Sequence, residues 1–343
     1  MMNNKKKTLI ITSIASSKNP ILKKYAKISL KENVNFIIIG DKKSPSNFLL
    51  RGANYFSLNK QRSLNFNLSK ILPVNHYARK NLGYLIAMQN NSESIVETDD
   101  DNIPLKEFFS KKKIIKKKTY VSKKAGWINV YKFFTKQHIW PRGFALEKIN
   151  EPLSKKLKYS KIICPIQQGL ADENPDVDAI YRLTRSLPIK FKSPKNIALG
   201  DGSFCPFNSQ NTEWLREAYP LMYLPSYCSF RMTDIWRSFI AQRVAWTCGW
   251  NILFHSSTVI QKRNPHNLMH DFEAEISGYK NNYNIMKNLI ELKLKPGVKN
   301  IKYNMTLCYR RLVIMKLIDK SEIKLLNAWF LDLKNIKQYL KTK

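Results

Sequence analysis

Three consecutive carboxylates, Asp99, Asp100 and Asp101, close the segment from Ser94 to Pro104. Ile95 and Val96 form a short β-type run into them, and Asn102 and Pro104 stop it. Adjacent carboxylates repel one another, so such a triplet calls for water or a cation. In an extended segment Asp99 and Asp101 point to one side and Asp100 to the other. That pair can hold a hard divalent cation, Mn²⁺ or Mg²⁺, and leave positions open for phosphate oxygens. The competing reading is a solvated acidic run with Asn102 capping a helix that starts at Pro104.

The other candidates are scattered. Arg79 and Lys80 fall in the first turns of a helix predicted over Asn75–Gln89, where phosphate could also use helix N–H groups. Arg182 and Arg185 flank the apolar run Ile180–Leu183. Asp234 stands ahead of a helix predicted from Ile235 to about Trp246, as a base or as its cap. His255, His266 and His270 are possible further metal ligands, His266 the favoured one. Trp140, Trp214, Trp236 and Trp246 offer faces on which sugar rings could dock, or simply pack in the core. The five cysteines, Cys164, Cys205, Cys228, Cys248 and Cys308, form no CxxC pair, which points to neither a zinc site nor a disulfide framework.

These residues need a scaffold. Thr8–Ile14 and Val34–Gly40 read as buried strands, with a helix from Pro20 to about Ser29 between them. Strand, helix, strand predicts a parallel right-handed unit, with Asp41 at the carboxyl edge where open α/β sheets bind nucleotides. There is no GxGxxG and no GxxxxGK[ST]. From about Asn281 the pattern is helical throughout.

The 343 residues carry 59 Lys plus Arg against 25 Asp plus Glu, formally +34. The excess is mainly lysine spread along an Asn- and Ile-rich chain, the pattern of AT-rich coding, and no nucleic-acid-binding signature accompanies it. No specific nucleic acid partner is expected. The dense basic stretch from Lys111 to Lys124 suggests peripheral contact with an anionic membrane, or a solvated insertion. The apolar run Leu9–Ile11 is too short for a signal peptide or a membrane span, so the expected location is cytoplasmic.

Taken in order, the motifs are specific. They are Arg79–Tyr84 (RKNLGY), Glu97–Asn102 (ETDDDN), Trp140–Phe144 (WPRGF), Gln167–Leu170 (QQGL), Asp176–Arg185 (DVDAIYRLTR) and Thr233–Arg237 (TDIWR). Together they resemble the glycosyltransferase-like domain of the STELLO family, from about residue 8 to about residue 275. The resemblance implies an α/β fold of glycosyltransferase A type: a mixed, mainly parallel sheet flanked by helices; the helical pattern from about Asn281, outside the resemblance, reads as a C-terminal helical appendage. It implies a glycosyltransferase-like domain over 1–280, with a nucleotide-sugar half at 1–105 and an acceptor half at 125–280. Residues 281–343 would be the helical extension. By the same resemblance Asp99 and Asp101 are the metal-binding carboxylates for Mn²⁺ or Mg²⁺, and Asp234 lies where a catalytic or acceptor-binding carboxylate is placed; His266 is the favoured third metal ligand on the residues alone, and Asp234 the expected catalytic residue. The resemblance puts Asp41 and Arg79 where the nucleotide is touched, and Lys80, Asp100, Arg142, Arg182 and Arg185 complete the expected substrate-binding set. The implied partners are a nucleotide-diphospho-sugar donor and a glycan or similar hydroxyl acceptor. A nucleotidyltransferase is the rival enzyme, but Ser13–Asn19 lacks the glycines of its phosphate loop. A non-catalytic scaffold of polysaccharide synthesis is the rival without chemistry.

Overall fold

The computed structural model describes residues 6–110, 117–122, 125–153, 157–192, 196–263 and 267–341. In chain order they form β1 (Lys7–Thr12), α1 (Pro20–Lys31), β2 (Asn35–Ile39), β3 (Asn54–Phe56), α2 (Leu58–Arg62), α3 (Asn67–Ile71) and α4 (Lys80–Gln89). Next come β4 (Ser94–Thr98), β5 (Asn102–Pro104), β6 (Lys117–Ser122), β7 (Gly126–Trp127), β8 (Leu157–Ile162), β9 (Ile166–Asp172) and α5 (Ala179–Thr184). The rest are β10 (Ile197–Leu199), β11 (Ser203–Phe204), β12 (Asn211–Leu215), α6 (Thr233–Thr247), β13 (Ile252–Gln261), α7 (Leu268–Glu291), α8 (Ile301–Ile314) and α9 (Glu322–Lys341).

The predicted β1–α1–β2 unit is present and parallel, with Leu9 opposite Phe36. Asn19 caps α1 by accepting from the N–H groups of Ile21 and Leu22, and Pro20 opens the helix. The main sheet runs β3-β2-β1-β4-β12-β9-β13-β10-β6-β8, with β5 paired to β13. Its first four strands are parallel. β12 then runs antiparallel to both β4 and β9, joining the two halves of the chain in one sheet. Beyond it, parallel and antiparallel pairs alternate. The expected mixed sheet flanked by helices is therefore found.

Three local expectations change. Pro104 ends β5 and starts no helix, so the capping reading of Asn102 falls. Asn75 and His76 lie ahead of the helix: Asn75 has φ of 53° and regular α-helix begins only at Lys80. The C-terminal helices begin earlier than read, because the line between 280 and 281 falls inside α7. α8 and α9 also share the main core, where Tyr309 and Trp329 are fully buried beside Tyr223. Most of the lysine-rich stretch lies outside the described residues. Of it, the backbone of 117–122 forms β6.

Two of the ordered motifs, far apart in sequence, meet in the interior. Arg237 of α6 pairs with Glu97 of β4, at 2.8 Å and 3.0 Å, with both side chains buried. Trp214 Nε1 donates to the same carboxylate at 2.7 Å, and the Tyr84 hydroxyl also donates to it. The ETDDDN and TDIWR motifs are thus tied together below the sheet edge that carries the aspartates.

Candidate functional site

A cleft of about 550 Å³ opens at the carboxyl ends of β1, β2 and β4, within the size range of small-molecule sites. Its first wall carries Ser13, Asp41, Lys43, His76 and Arg79. Asp41 accepts from the backbone N–H groups of Asn75 and His76 at 2.8 Å and 2.9 Å, which pins the loop before α4 across the cleft. Arg79 is buried. Its Nε donates to Gln61 and its Nη1 to the carbonyls of Leu72 and Pro73, leaving Nη2 without a protein partner. A buried guanidinium N–H left over at a cleft is a ready donor for a ligand oxygen.

The aspartates stand on a turn after β4 rather than on an extended strand, so all three line the cleft. Asp99 Oδ1 accepts from Tyr77 at 2.8 Å and from Lys80 Nζ at 3.1 Å. Asp100 accepts from Ser13. Asp101 accepts from Gln261 at 3.2 Å, while its Oδ1 is buried with no partner. Burial, then the charge of Asp99, pushes the Asp101 carboxyl up to about 7. A divalent cation would relieve both the orphaned oxygen and the repulsion, so Asp99 and Asp101 fit a metal as a two-carboxylate set. Among the described residues no group of three His, Cys, Asp or Glu side chains completes such a site, which leaves the other positions to phosphate and water. His266 lies outside the described residues. His270 is exposed on α7, and His255 packs beside Gly169 with Nδ1 at 2.8 Å from the Ser256 carbonyl.

The opposite wall is built by Arg142, Asp176, Ser209, Phe230, Arg231, Asp234 and Arg263. Gly143 has φ of 83°, and a Cβ there would strike Ile235, so only glycine lets the WPRGF turn press Arg142 inward. Arg142 donates from Nε and Nη2 to Asp176 at 2.8 Å and 2.9 Å, and from Nη2 to both oxygens of Asp234 at 3.1 Å. Asp234 Oδ2 also accepts from the Ser209 N–H and hydroxyl. No N–H of α6 reaches the Asp234 carboxylate, so its helix-cap alternative is ruled out.

Several expected ligands sit elsewhere. Lys80 is fully buried under the cleft, donating to Thr98 O, Asp99 and Tyr77. Arg182 folds onto Asn174 and the Pro175 carbonyl, and Arg185 is exposed at the end of α5. Trp140, Trp214 and Trp236 are core residues, and Trp246 is half-buried away from the cleft. The exposed aromatic at the site is Phe230, 56% exposed and edge-on to His76 and Tyr77. Tyr77 also lines the cleft: its hydroxyl donates to Asp99 and lies 2.7 Å from the Ser209 hydroxyl. Asp176 entered only as the start of a motif, and Ser209, Gln261, Arg231 and Arg263 carried no local signal, because loops and a strand separated in sequence bring them in.

Behind this wall Asp178 caps α5 and accepts from Trp140 Nε1 at 2.6 Å. Burial raises its carboxyl to about 7, against hydrogen bonds that lower it and with the Glu275 charge adding. A folded pKa above the unfolded one makes the acid form the stabilised one. Its contribution is complete below the ordinary carboxylate range and is lost as pH rises to about 7. Asp178→Asn keeps an acceptor for Tyr181 N–H. Urea unfolding at several pH values should show the wild type losing stability between pH ~4 and ~7 more steeply than the variant. Parallel curves would remove Asp178 from that titration.

A sequence model described as STELLO glycosyltransferases matches residues 231–341, from the cleft wall through α9. Among curated proteins, the probable glycosyltransferase STELLO2 of Arabidopsis thaliana is 29% identical, covering 73% of this chain and 35% of its own length. The probable glycosyltransferase STELLO1 of the same plant is 28% identical, covering 73% and 34%. The chain thus spans about a third of the length of these relatives. A solved mycobacterial protein overlaps 82% of this chain and 75% of its own with a TM-score of 0.43 and 9% identity. The match over 231–341 and the two plant proteins agree in what this chain is similar to: the STELLO glycosyltransferases.

Proposed function

We propose that the cleft binds a nucleotide-diphospho-sugar with a divalent cation and transfers the sugar to a hydroxyl acceptor. One observation carries the reading. Tyr77 donates to Asp99, Ser209 donates to Asp234, and the two hydroxyls lie 2.7 Å apart, so a contiguous row of polar groups joins a cation-seeking turn to a second carboxylate across one cleft. A glycosyl transfer needs those two centres. Negative charge grows on the leaving diphosphate while a hydroxyl loses its proton. The similarity to proteins named as probable glycosyltransferases supports the same reading.

Asp99 and Asp101 would hold the cation, which supplies Lewis-acid neutralisation of the departing diphosphate. Arg79 Nη2 and Lys43 stand on the donor wall to bind phosphate or ribose oxygens. Phe230 offers the open apolar face on which a sugar ring can stack. Asp234 Oδ1 accepts only from Arg142, so it keeps a lone pair for an acceptor proton. In an inverting transfer that oxygen is the base.

The donor half is tested by calorimetry with UDP and GDP. Binding should require Mn²⁺ or Mg²⁺ and disappear on addition of EDTA. In Asp101→Asn the affinity gained from the metal should fall at least ~10-fold. Equal affinity after EDTA treatment would sink the cation-dependent reading. A scaffold without activity would show nucleotide binding but no turnover across a panel of sugar nucleotides.

A further inference from the structure

One position beside the two carboxylates has a neutral protein oxygen next to it. β5 pairs antiparallel with β13, which sets Asn102 opposite Gln261, and the Lys262 N–H donates to the Asp101 carbonyl at 3.0 Å. The backbone thus fastens the end of β13 to the aspartate turn and holds the side chain at 261 beside Asp101. Gln261 is 8% exposed and lines the cleft with Asp99, Asp100 and Asp101. Its Nε2 donates to Asp101 Oδ2 at 3.2 Å, while its Oε1 is buried with no hydrogen-bond partner. Asp101 Oδ1 is in the same state. Asn102, fully buried across the pairing, has an unengaged Nδ2 and does not give it to the Gln261 oxygen.

Two buried oxygens on hydrogen-bonded neighbours, both without a donor, call for one shared electron-pair acceptor. The protein's own cations do not fill that place. Lys80 donates to Asp99, and Arg263, two residues beyond Gln261, donates to Asp271. Charge explains why an amide suits the position better than a third carboxylate. Asp99 and Asp101 already set two negative charges against the two positive ones of a divalent ion, and Asp100 stands beside them. A further carboxylate would oppose the diphosphate that has to share the ion. An amide oxygen is a hard ligand that adds no charge.

We propose that Gln261 is a third protein ligand of the cleft's divalent cation, giving its amide oxygen beside the carboxylates of Asp99 and Asp101. The assignment rests on the cation-dependent reading of the cleft and makes the protein's ligand set one of oxygens alone, which suits Mg²⁺ and Mn²⁺. Mn²⁺ titrated into the full chain, with the free ion followed by its EPR signal, tests it without any turnover. Gln261→Met, close in size and without the oxygen, should raise the Mn²⁺ dissociation constant at least ~10-fold. Gln261→Glu should hold Mn²⁺ at least as tightly as the wild type. Its added charge should weaken UDP binding in Mn²⁺ roughly tenfold, read by calorimetry. Glutamate has no N–H for Asp101, so a residue that merely held Asp101 in place would lose Mn²⁺ in both variants. Melting curves without metal check that both variants fold. A wild type that takes up no Mn²⁺, with or without UDP, sinks the cation-dependent reading and this assignment with it. A wild type that binds Mn²⁺ no more tightly than Gln261→Met overturns the assignment alone. So does a Gln261→Glu variant as weak for Mn²⁺ as Gln261→Met.

Discussion

Asp234→Asn should lower sugar transfer by roughly 10²–10⁴-fold, the usual worth of a general base, with donor and cation binding unchanged. The substitution is nearly isosteric. Asn keeps an oxygen for Arg142 and Ser209, and Arg142 keeps its two-point contact with Asp176. What goes is the proton-accepting charge at the cleft surface. Because the carboxylate accepts nothing from α6, a fall in rate cannot be blamed on a lost helix cap. Single-turnover assays with the donor that the wild type uses would measure it, beside calorimetry and a melting curve. Transfer within a few-fold of wild type, in a protein that melts normally, would put the base elsewhere.

The second large effect is on stability. Arg237→Met should destabilise the fold by about 3–5 kcal/mol, because it strands the Glu97 carboxylate in the interior with only Tyr84 and Trp214 as donors. Burial opposes the charge on Arg237, but the neighbouring Glu97 outweighs it and holds the guanidinium protonated. The pair therefore costs most when half of it is removed. Glu97→Gln added to Arg237→Met should recover part of the loss, since no charge is then left unpaired. Denaturant unfolding of the two single variants and the double variant gives the coupling. A loss under ~1 kcal/mol for Arg237→Met would mean that water reaches the site and screens it.

The sequence made the β1–α1–β2 unit and the aspartate turn legible for a simple reason. Both are local: an apolar run, a capping Asn-Pro, and three carboxylates in a row. Arg142 and Asp234 became candidates only through the ordered motifs. Their meeting at 3.1 Å depends on a positive-φ glycine and on the packing of Ile235, which no local pattern shows. The tryptophans misled because an aromatic's type says nothing of its depth. Trp214 and Trp236 spend their N–H groups on Glu97 and Asn282 inside the core, while the unremarked Phe230 stays in the open. Lys80 misled in the same way. A lysine at a helix start reads as a surface cation, yet Asp99 and the Thr98 carbonyl satisfy it in the interior.

Asp332, on α9, accepts from the N–H groups of Asn67 and Leu68 at 2.7 Å and 2.9 Å, and so holds the start of α3. That helix leads into Leu72 and Pro73, whose carbonyls fix the guanidinium of Arg79. At the other end of α9, Glu322 accepts from the N–H groups of Ser226 and Tyr227, just ahead of Phe230. The final helix is thus a brace between the two rims of the cleft. A fragment trimmed at residue 280, where composition invites the cut, would keep every aspartate and still lose the strut that sets how far apart the rims stand.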